Sequence, residues 1–520
     1  MPIDIKPAAL LSVYERRGVA DLARALVASG LTLYATGGTR THLLEQGIDA
    51  RDVAELTGFP SLFDGRVKTL HPRVFGGILA DRSNATHLSE AQSHGIPAIS
   101  TVVVNLYPFE ATVAQPGASL EEAVEQIDIG GVSLIRAAAK NFAHVTVLID
   151  PDQYRELINA LPAGVDRAVR RRLATRAFER TAEYDASIAR YLEAGLSANE
   201  LPGSLALTMP LAQSLRYGEN PQSRAAFYLS HGHELPEQLW GKDLSYNNLL
   251  DLDATLRLLV RAPSGAADVA EHGEHRAAIV KHTVPCGVAE RDEVAAAVRL
   301  ALDADPISAY GGIIAVDGTI DKKSAEALGD FFLEIVAAPG FDADALALLQ
   351  RKKNLRIIRY PATFPAQIAR ELRVRSALGG ILAEDDDPGA TAEHWTVVSK
   401  RAPSPAEWND LSFAWDVVRH VKSNGVVVVR DGVSRGICAG QTNRVSAVKI
   451  AGERAGAFAS GSACASDGFF PFPDGLIAAA DAGCTAVIAP SGSIRDRDVI
   501  KAADERAIAL VFSNYRYFLH

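Results

Sequence analysis

The chain has 520 residues, with 53 Lys plus Arg against 63 Asp plus Glu and a formal net charge of −10. At about one domain per 150 residues this length predicts three or four structural units, and 48% hydrophobic with 22% charged residues excludes a disordered or collagenous chain. The acidic balance argues against an extended nucleic-acid-binding face but leaves room for local basic pockets, so any anionic partner should be small.

Over the first 200 residues, short apolar runs at 10–13, 31–35, 101–104 and 145–149 alternate with helical patterns, which predicts an α/β domain with a largely parallel sheet. Directly after the second run, Thr36-Gly37-Gly38-Thr39 leads into a helix, where backbone N–H groups and the helix dipole favour an anion. Arg66-Val67-Lys68-Thr69-Leu70-His71-Pro72 puts two cations, a hydroxyl and an imidazole into seven residues. Two anion-friendly loops in one α/β domain point towards a nucleotide or a sugar phosphate. The strongest apolar run ends in Asn105-Leu106-Tyr107-Pro108-Phe109, and ligands of open α/β sheets gather at strand carboxyl ends, which places Asn105 and Tyr107 near any site. Ser119 with Glu122 forms a capping box. It opens a helix expected to run towards Lys140 with an interruption at Asp128-Ile129-Gly130-Gly131. Glycine inside a helix costs about 1 kcal/mol relative to alanine, so a close ligand or backbone is suspected there. Lys140 read on its own is a cation at a helix C-terminus. Residues 166–192 form a long Arg-rich pattern, read as an outer helix covering the sheet.

Periodicity stops between 195 and 221, and Leu201-Pro202-Gly203-Ser204 marks the expected domain boundary, giving 1–200 and 201–520. Beyond it, strands at 277–280 and 312–316 flank a helix at 292–302, and strands at 425–429 and 486–489 flank a helix at 445–453. Paired Val280-Lys281 and Val421-Lys422, with Ala338-Pro339 and Ala489-Pro490, suggest two related halves, 201–370 and 371–520. Lys281-His282-Thr283-Val284-Pro285-Cys286-Gly287 leaves a buried strand for a turn, a setting for a general base tuned by a cationic neighbour. The loops at 216–221 and 466–472 carry functional groups, and the aromatics of the second suit either a core corner or a platform for a flat heterocycle. His272-Gly273-Glu274 with Pro285-Cys286 superficially resembles the zinc deaminase signature, but residue 289 is Ala where that signature needs a second Cys. Cys286, Cys438, Cys464 and Cys484 have no C-x-x-C spacing, which suits reduced thiols. The N-terminus has no basic and then apolar leader, and no apolar run approaches the roughly 18 residues of a membrane span. A cytoplasmic protein with neither a membrane nor a nucleic-acid partner is expected.

Taken together and in order, RVKTLHP (66–72), NLYPF (105–109), EEAVEQIDIGG (121–131), RAAAKN (136–141), RYGENPQ (216–222), LSYNNLLDLDA (244–254), KHTVPCG (281–287), DPISAYGGIIA (305–315), VKSN (421–424), AGQTNR (439–444), FFPF (469–472) and APSGS (489–493) carry a resemblance to one family. It is the bifunctional purine-biosynthesis family that joins AICAR formyltransferase to IMP cyclohydrolase. The resemblance implies a methylglyoxal-synthase-like N-terminal domain and a transferase region of two cytidine-deaminase-like subdomains without zinc. It also implies 10-formyltetrahydrofolate as co-substrate, no tightly bound cofactor, no metal, and a homodimer.

For the cyclohydrolase, the family pattern falls on Lys68, Tyr107, Asp128 and Lys140 as acid/base and orienting groups. Ser12, Arg16, Thr36, Gly37, Gly38, Thr39, Arg66, Thr69 and Asn105 would surround IMP or formyl-AICAR. For the transferase it falls on Lys281, His282 and Asn424 at the chemistry, on Arg216, Tyr217, Gly311, Glu334, Arg444 and Arg516 around AICAR, and on Phe469, Asp474 and Ser493 towards the folate. The 5-amino group of AICAR is conjugated with its ring and is a poor nucleophile, so attack on a formyl carbon needs a base, His282, and a cation for the developing oxyanion, Lys281. Lys140 with Asp128 is the expected proton relay of ring closure, two opposite charges steadying each other's pKa. The chain departs from the family pattern at Tyr14, Val284, Cys438 and Pro473. Two readings compete with this one, a zinc-dependent hydrolase and a nucleotide-binding regulatory protein.

Overall fold

The computed structural model describes residues 7–115, 117–194, 201–229, 233–261, 273–385 and 395–520; His272 of the deaminase-like match lies outside them. Two compact units divide the chain, residues 1–211 with 228–233 and residues 212–227 with 234–520.

In the first unit, β1 (Pro7–Val13), β2 (Thr32–Ala35), β3 (Arg51–Asp52), β4 (Ala98–Asn105) and β5 (Thr146–Leu148) form one sheet in the order β3-β2-β1-β4-β5. Every pair is parallel. Consecutive residues of a strand face opposite sides, yet Ala8, Ala9, Leu10 and Leu11 are all buried, so both faces are covered and the strand reads as an unbroken apolar run. The capping box at Ser119 is present: its hydroxyl accepts from the Glu122 amide at 3.1 Å, and the Glu122 carboxylate accepts from the Ser119 amide at 2.9 Å. The helix it opens, Leu120–Glu125, is short, and a separate helix, Gly130–Lys140, begins at the two glycines. Gly130 and Gly131 therefore start a helix and do not interrupt one. The Arg-rich pattern is one helix, Arg167–Ala194. It covers the domain by burying Ala177, Thr181 and Tyr184, while Arg170 donates to the carbonyls of Phe142 and Ala143, both at 2.9 Å.

After the paired strands β6 (Leu211–Leu215) and β7 (Ala225–Tyr228), the second unit is built on twelve strands. Its first half supplies β8 (Glu237–Trp240), β9 (His275–Lys281), β10 (Val284–Arg291), β11 (Ile313–Val316), β12 (Ile335–Ala338) and β13 (Arg356–Arg359). A separate hairpin, β14 (Arg373–Ala377) and β15 (Gly380–Glu384), follows. The second half supplies β16 (Trp395–Val397), β17 (Val426–Arg430), β18 (Val433–Cys438), β19 (Ala463–Ser466), β20 (Ala486–Pro490) and β21 (Ala509–Ser513). Sheet order is β16-β21-β20-β19-β17-β18-β10-β9-β11-β12-β13-β8.

Counted outward from the antiparallel β10·β18 pair, the two sides repeat each other strand by strand and direction by direction. The packing repeats as well. Gly287 in β10 lies so close to helix Val294–Ala304 that a Cβ would run into the carbonyl of Ala301, and Gly436 in β18 stands in the same relation to Ala451 of helix Arg444–Ala455. Ala338-Pro339 and Ala489-Pro490 close the equivalent strands β12 and β20. The Val-Lys correspondence fails: Val421-Lys422 precedes β17, and the counterpart of Val280-Lys281 is Val429-Arg430. The counterpart of β11 is β19, which pattern reading passes over because Ala-Cys-Ala-Ser is short and nearly featureless.

This two-fold arrangement has a consequence for sites. One edge of the sheet carries the N-terminal ends of β11, β12 and β13 beside the C-terminal ends of β19, β20 and β21, with the β9–β10 turn, the end of β18 and the start of β17 between them.

Candidate active sites

In the first unit, the carboxyl ends of β1, β2 and β4 meet. Thr36 donates from its hydroxyl to the Ser12 hydroxyl at 2.9 Å. Thr39 accepts from the Val13 amide at 2.9 Å and returns a bond to the Val13 carbonyl at 3.1 Å. Asn105 accepts from the amides of Tyr14 and Glu15 at 2.6 and 2.9 Å and donates to the Glu15 carbonyl at 3.1 Å, which fixes the loop after β1. Thr36 is the extended residue before helix Gly37–Glu45 and makes no side-chain cap, so the first amides of that helix are presented to an anion. The Arg16 guanidinium lies against Gly38, within 2.8 Å of where a Cβ would be.

Beside this cradle, Asp128 is held before helix Gly130–Lys140. Its carboxylate accepts from the Gly131 amide at 2.7 Å, and its own amide donates to the Tyr184 hydroxyl at 2.9 Å, which in turn donates to the Gln126 carbonyl at 2.8 Å. Burial pushes the Asp128 carboxyl up from its ordinary value, against the opposing pull of the Gly131 amide, the Lys68 charge and the Tyr107 amide. The Lys68 charge and the Tyr107 amide thus both lie within electrostatic reach of Asp128. The Thr69 hydroxyl lies against Gly130, Arg66 pairs with Glu125, and the exposed Tyr107 ring meets Tyr14 edge-on at 5.8 Å. The departure at Tyr14 thus contributes a ring to the mouth of the site.

Lys140 is not brought to Asp128. It ends the eleven-residue helix that Gly130 begins, which at 1.5 Å per residue puts it about 15 Å along the axis from the Asp128 end. The chain then enters β5 at the level of Thr101, well below Asn105. The expected Lys140–Asp128 relay is therefore corrected: the cation at Asp128 is Lys68, and Lys140 sits exposed where a cation complements a helix C-terminus.

In the second unit the transferase candidates fall along the one sheet edge described above. Lys281 ends β9 and donates from its ammonium to the Tyr310 carbonyl at 2.6 Å, next to Gly311, which takes φ +78° and donates to the Phe332 carbonyl at 2.8 Å. His282 and Thr283 form a two-residue turn, since Val284 pairs directly with Lys281. Glu334, before β12, accepts from the Asn248 amide group at 2.7 Å and faces Arg356 at 3.6 Å. Arg216 stacks on Tyr217, 4.6 Å from the ring centroid, and its charge, after burial and opposite to Glu334, helps to depress the Arg356 pKa.

Towards the other half, Asn424 is fixed by two bonds to the Gln441 carbonyl, from its amide at 2.9 Å and its side chain at 2.6 Å. Arg444 pairs with the fully buried Asp467, which also accepts from the Ser423 hydroxyl at 2.6 Å. Phe469 is exposed after β19, Asp474 accepts from the Gly475 amide at 2.8 Å, Ser493 follows β20 with its amide on Asp496 at 3.1 Å, and Arg516 follows β21 over Phe518 at 4.8 Å. Asn424, before β17, and His282, after β9, lie on the same edge with β10 and β18 between their strands. Burial pushes the Cys286 thiol up to about 12, keeping it a protonated core group. Val284 and Cys438 sit in strand pairs with Lys281 and Val426, and Pro473 immediately precedes helix Asp474–Ala482.

Sequence reasoning missed the carboxylates that hold these groups, Asp251 and Asp467, and the Asn248–Glu334 bond. Their one available signal was polar residues on the inward side of otherwise apolar elements.

The profile of the AICARFT/IMPCHase bienzyme family matches residues 138–454, and that of the MGS-like domain matches residues 18–133. The chain is 47% identical over 535 residues to the bifunctional purine biosynthesis protein PurH of Desulfitobacterium hafniense (strain DSM 10664 / DCB-2), spanning 98% of this chain and 99% of that protein. It is 49% identical over 531 residues to the protein of the same name from Synechococcus sp. (strain WH7803), spanning 99% and 100%, and 45% identical over 525 residues to that of Anoxybacillus flavithermus (strain DSM 21510 / WK1), again spanning 99% and 100%. The chain belongs to the AICARFT/IMPCHase bienzyme family, with an MGS-like domain built on a parallel sheet in its N-terminal part.

Proposed function

We infer that the chain carries out both reactions of its family: transfer of a formyl group from 10-formyltetrahydrofolate to the 5-amino group of AICAR, and closure of formyl-AICAR to IMP with loss of water. The observation that carries this reading is the presence of two separate acid/base clusters, Asp128 with Lys68 and Tyr107 in one unit and Lys281-His282 in the other.

In formyl transfer the amine nitrogen attacks the formyl carbon, His282 takes the amine proton, the Lys281 ammonium stabilises the oxyanion, and the carbon–N10 bond breaks as N10 of the folate regains a proton. Asn424, Arg216, Tyr217, Gly311, Glu334, Arg444 and Arg516 bind and orient AICAR, with Phe469, Asp474 and Ser493 towards the folate. In ring closure the carboxamide nitrogen attacks the formyl carbon and water leaves. Asp128 moves the proton, Lys68 stabilises the charge on the formyl oxygen and Tyr107 orients the base. Thr36, Gly37, Gly38, Thr39, Ser12 and Arg16 hold the phosphate end, and Arg66, Thr69 and Asn105 frame the pocket.

The repeat about β10·β18 supports reading 201–520 as two related cytidine-deaminase-like subdomains, after a cyclohydrolase domain at 1–200. A homodimer is supported by the exposed apolar side chains Val374 and Ile381, which share one face of the β14–β15 hairpin, with Leu378 exposed at its turn and Leu382 on the other face. A cytoplasmic location fits the observation that no helix among the described residues is long and apolar enough to cross a membrane. The reading includes no resident cofactor or metal and no nucleic-acid partner. The test is to mix purified protein with AICAR and 10-formyltetrahydrofolate and follow tetrahydrofolate and IMP together. Both should appear; folded protein that releases no tetrahydrofolate contradicts the transferase reading and leaves the regulatory one.

A further inference from the structure

The turn that carries His282 is built from unsuitable residues. A two-residue hairpin turn with both central residues at positive φ is normally Asn-Gly or another glycine-containing pair, yet here His282 has φ 57° and Thr283, which is β-branched, has φ 60°. What holds them is Asp251, on helix Tyr246–Arg257. Its two carboxylate oxygens accept separately from the His282 amide at 3.1 Å and the Thr283 amide at 2.6 Å. The other half contains the same device. Asp410, on helix Pro405–Val418, accepts from the amides of Asp431 and Gly432, both at 2.9 Å, in the β17–β18 turn, where φ is 54° and 63°. The fold therefore supplies one carboxylate clamp per half. In the second half it grips a turn that contains a glycine and lies on the opposite sheet edge. In the first half it grips a turn without glycine, whose first residue is the imidazole at the reaction.

We propose that Asp251 is a positioning residue for formyl transfer: by clamping both amides it keeps the His282–Thr283 turn in the left-handed region and so aims the His282 imidazole at the AICAR amine. Without the clamp, histidine and threonine relax towards negative φ and the imidazole leaves its line of attack. The inference rests on His282 acting as the base. The same helix also places Asn248 on Glu334, so it sets two of the groups assigned to the AICAR pocket.

The experiment compares Asp251→Ala, Asp251→Asn, Asp251→Ala/Thr283→Gly, Asp410→Ala and His282→Ala in both assays, formyl transfer and cyclisation of supplied formyl-AICAR. Misplacing a reacting group by about 1 Å costs roughly 100-fold, so Asp251→Ala should lower transfer kcat by about that factor with the KM for AICAR and the cyclisation rate little changed. Asp251→Asn, which keeps one acceptor, should fall between. Adding Thr283→Gly should restore about tenfold, because glycine takes positive φ unaided. Asp410→Ala should leave transfer nearly unchanged. The proposal is overturned if folded Asp251→Ala keeps most of its transfer kcat while His282→Ala is inactive, or if both reactions fall together and Thr283→Gly restores nothing. An active His282→Ala overturns the base assignment and this inference with it.

Discussion

Asp128 illustrates how much of a site depends on a single close approach. Gly131 is one of the positions where the backbone comes nearest to a group of the proposed site: a Cβ there would overlap the Asp128 carboxylate. Gly131→Ala should therefore displace that carboxylate and lower the cyclisation rate at least tenfold, an effect of the size expected when a positioned group moves by a fraction of an ångström, while formyl transfer is unaffected; steady-state assays of the two reactions check this. Asp128 also sets a pH dependence. As a base it must be ionised, and burial raises its pKa, so cyclisation should fall as pH drops through a value above the ordinary carboxylate pKa of about 4. The acid limb of the pH–rate profile measures it. Lys68, Tyr107 and Asp128 were expected together from the family resemblance, and the Lys68 charge and the Tyr107 amide both act on the Asp128 carboxyl. Lys140 was misread as an Asp128 partner because a motif preserves sequence distance, and twelve residues of sequence became the length of a helix.

At the level of elements, the strands at 10–13, 31–35, 101–104 and 145–149 were readable from their apolar runs, and the Ser119 cap from its spacing. The hairpin β9–β10 was not, and β17–β18 was passed over although its turn is the standard pair Asp431-Gly432. Their connections are His282-Thr283 and Asp431-Gly432, and the first has no residue that announces a tight turn, since its geometry is imposed by a carboxylate from a distant helix. The helices behind β10 and β18 are seated by Gly287 and Gly436, whose missing side chains let a helical carbonyl approach the strand. Gly287→Ala and Gly436→Ala should each cost about 1–3 kcal/mol through overpacking. Urea denaturation should give similar losses for both, because the two sites are copies of one contact; a large cost at one and none at the other would break the structural equivalence of the halves.

For the whole molecule, the two-fold sheet explains why candidates scattered from Arg216 to Arg516 come to one edge. It turns one half around relative to the other, so the starts of first-half strands and the ends of second-half strands share a border. Sequence suggested two related pieces but not the axis relating them. Near that axis the acidic balance of the chain is settled locally. Arg276, almost wholly buried, pairs with Glu290 at 2.7 Å and Asp416 at 2.6 Å. Burial opposes the charge on Asp416, but the guanidiniums of Arg276 and Arg419 outweigh it and hold the carboxyl down at about 2. The stability this pair contributes is present above the unfolded carboxylate pKa and is lost as pH falls through about 2. Arg276→Met would leave Asp416 with Arg419 and Glu290 with Arg261 as their remaining cations and should cost about 3 kcal/mol at neutral pH, measured by denaturant titration.

Two chemistries in two units is the central claim, and crossing two substitutions with two assays tests it most directly. His282→Ala should abolish formyl transfer and leave cyclisation of supplied formyl-AICAR nearly intact, and Asp128→Asn should do the reverse. If both substitutions, in folded protein, damaged both reactions to the same extent, the assignment of one site to each unit would be contradicted.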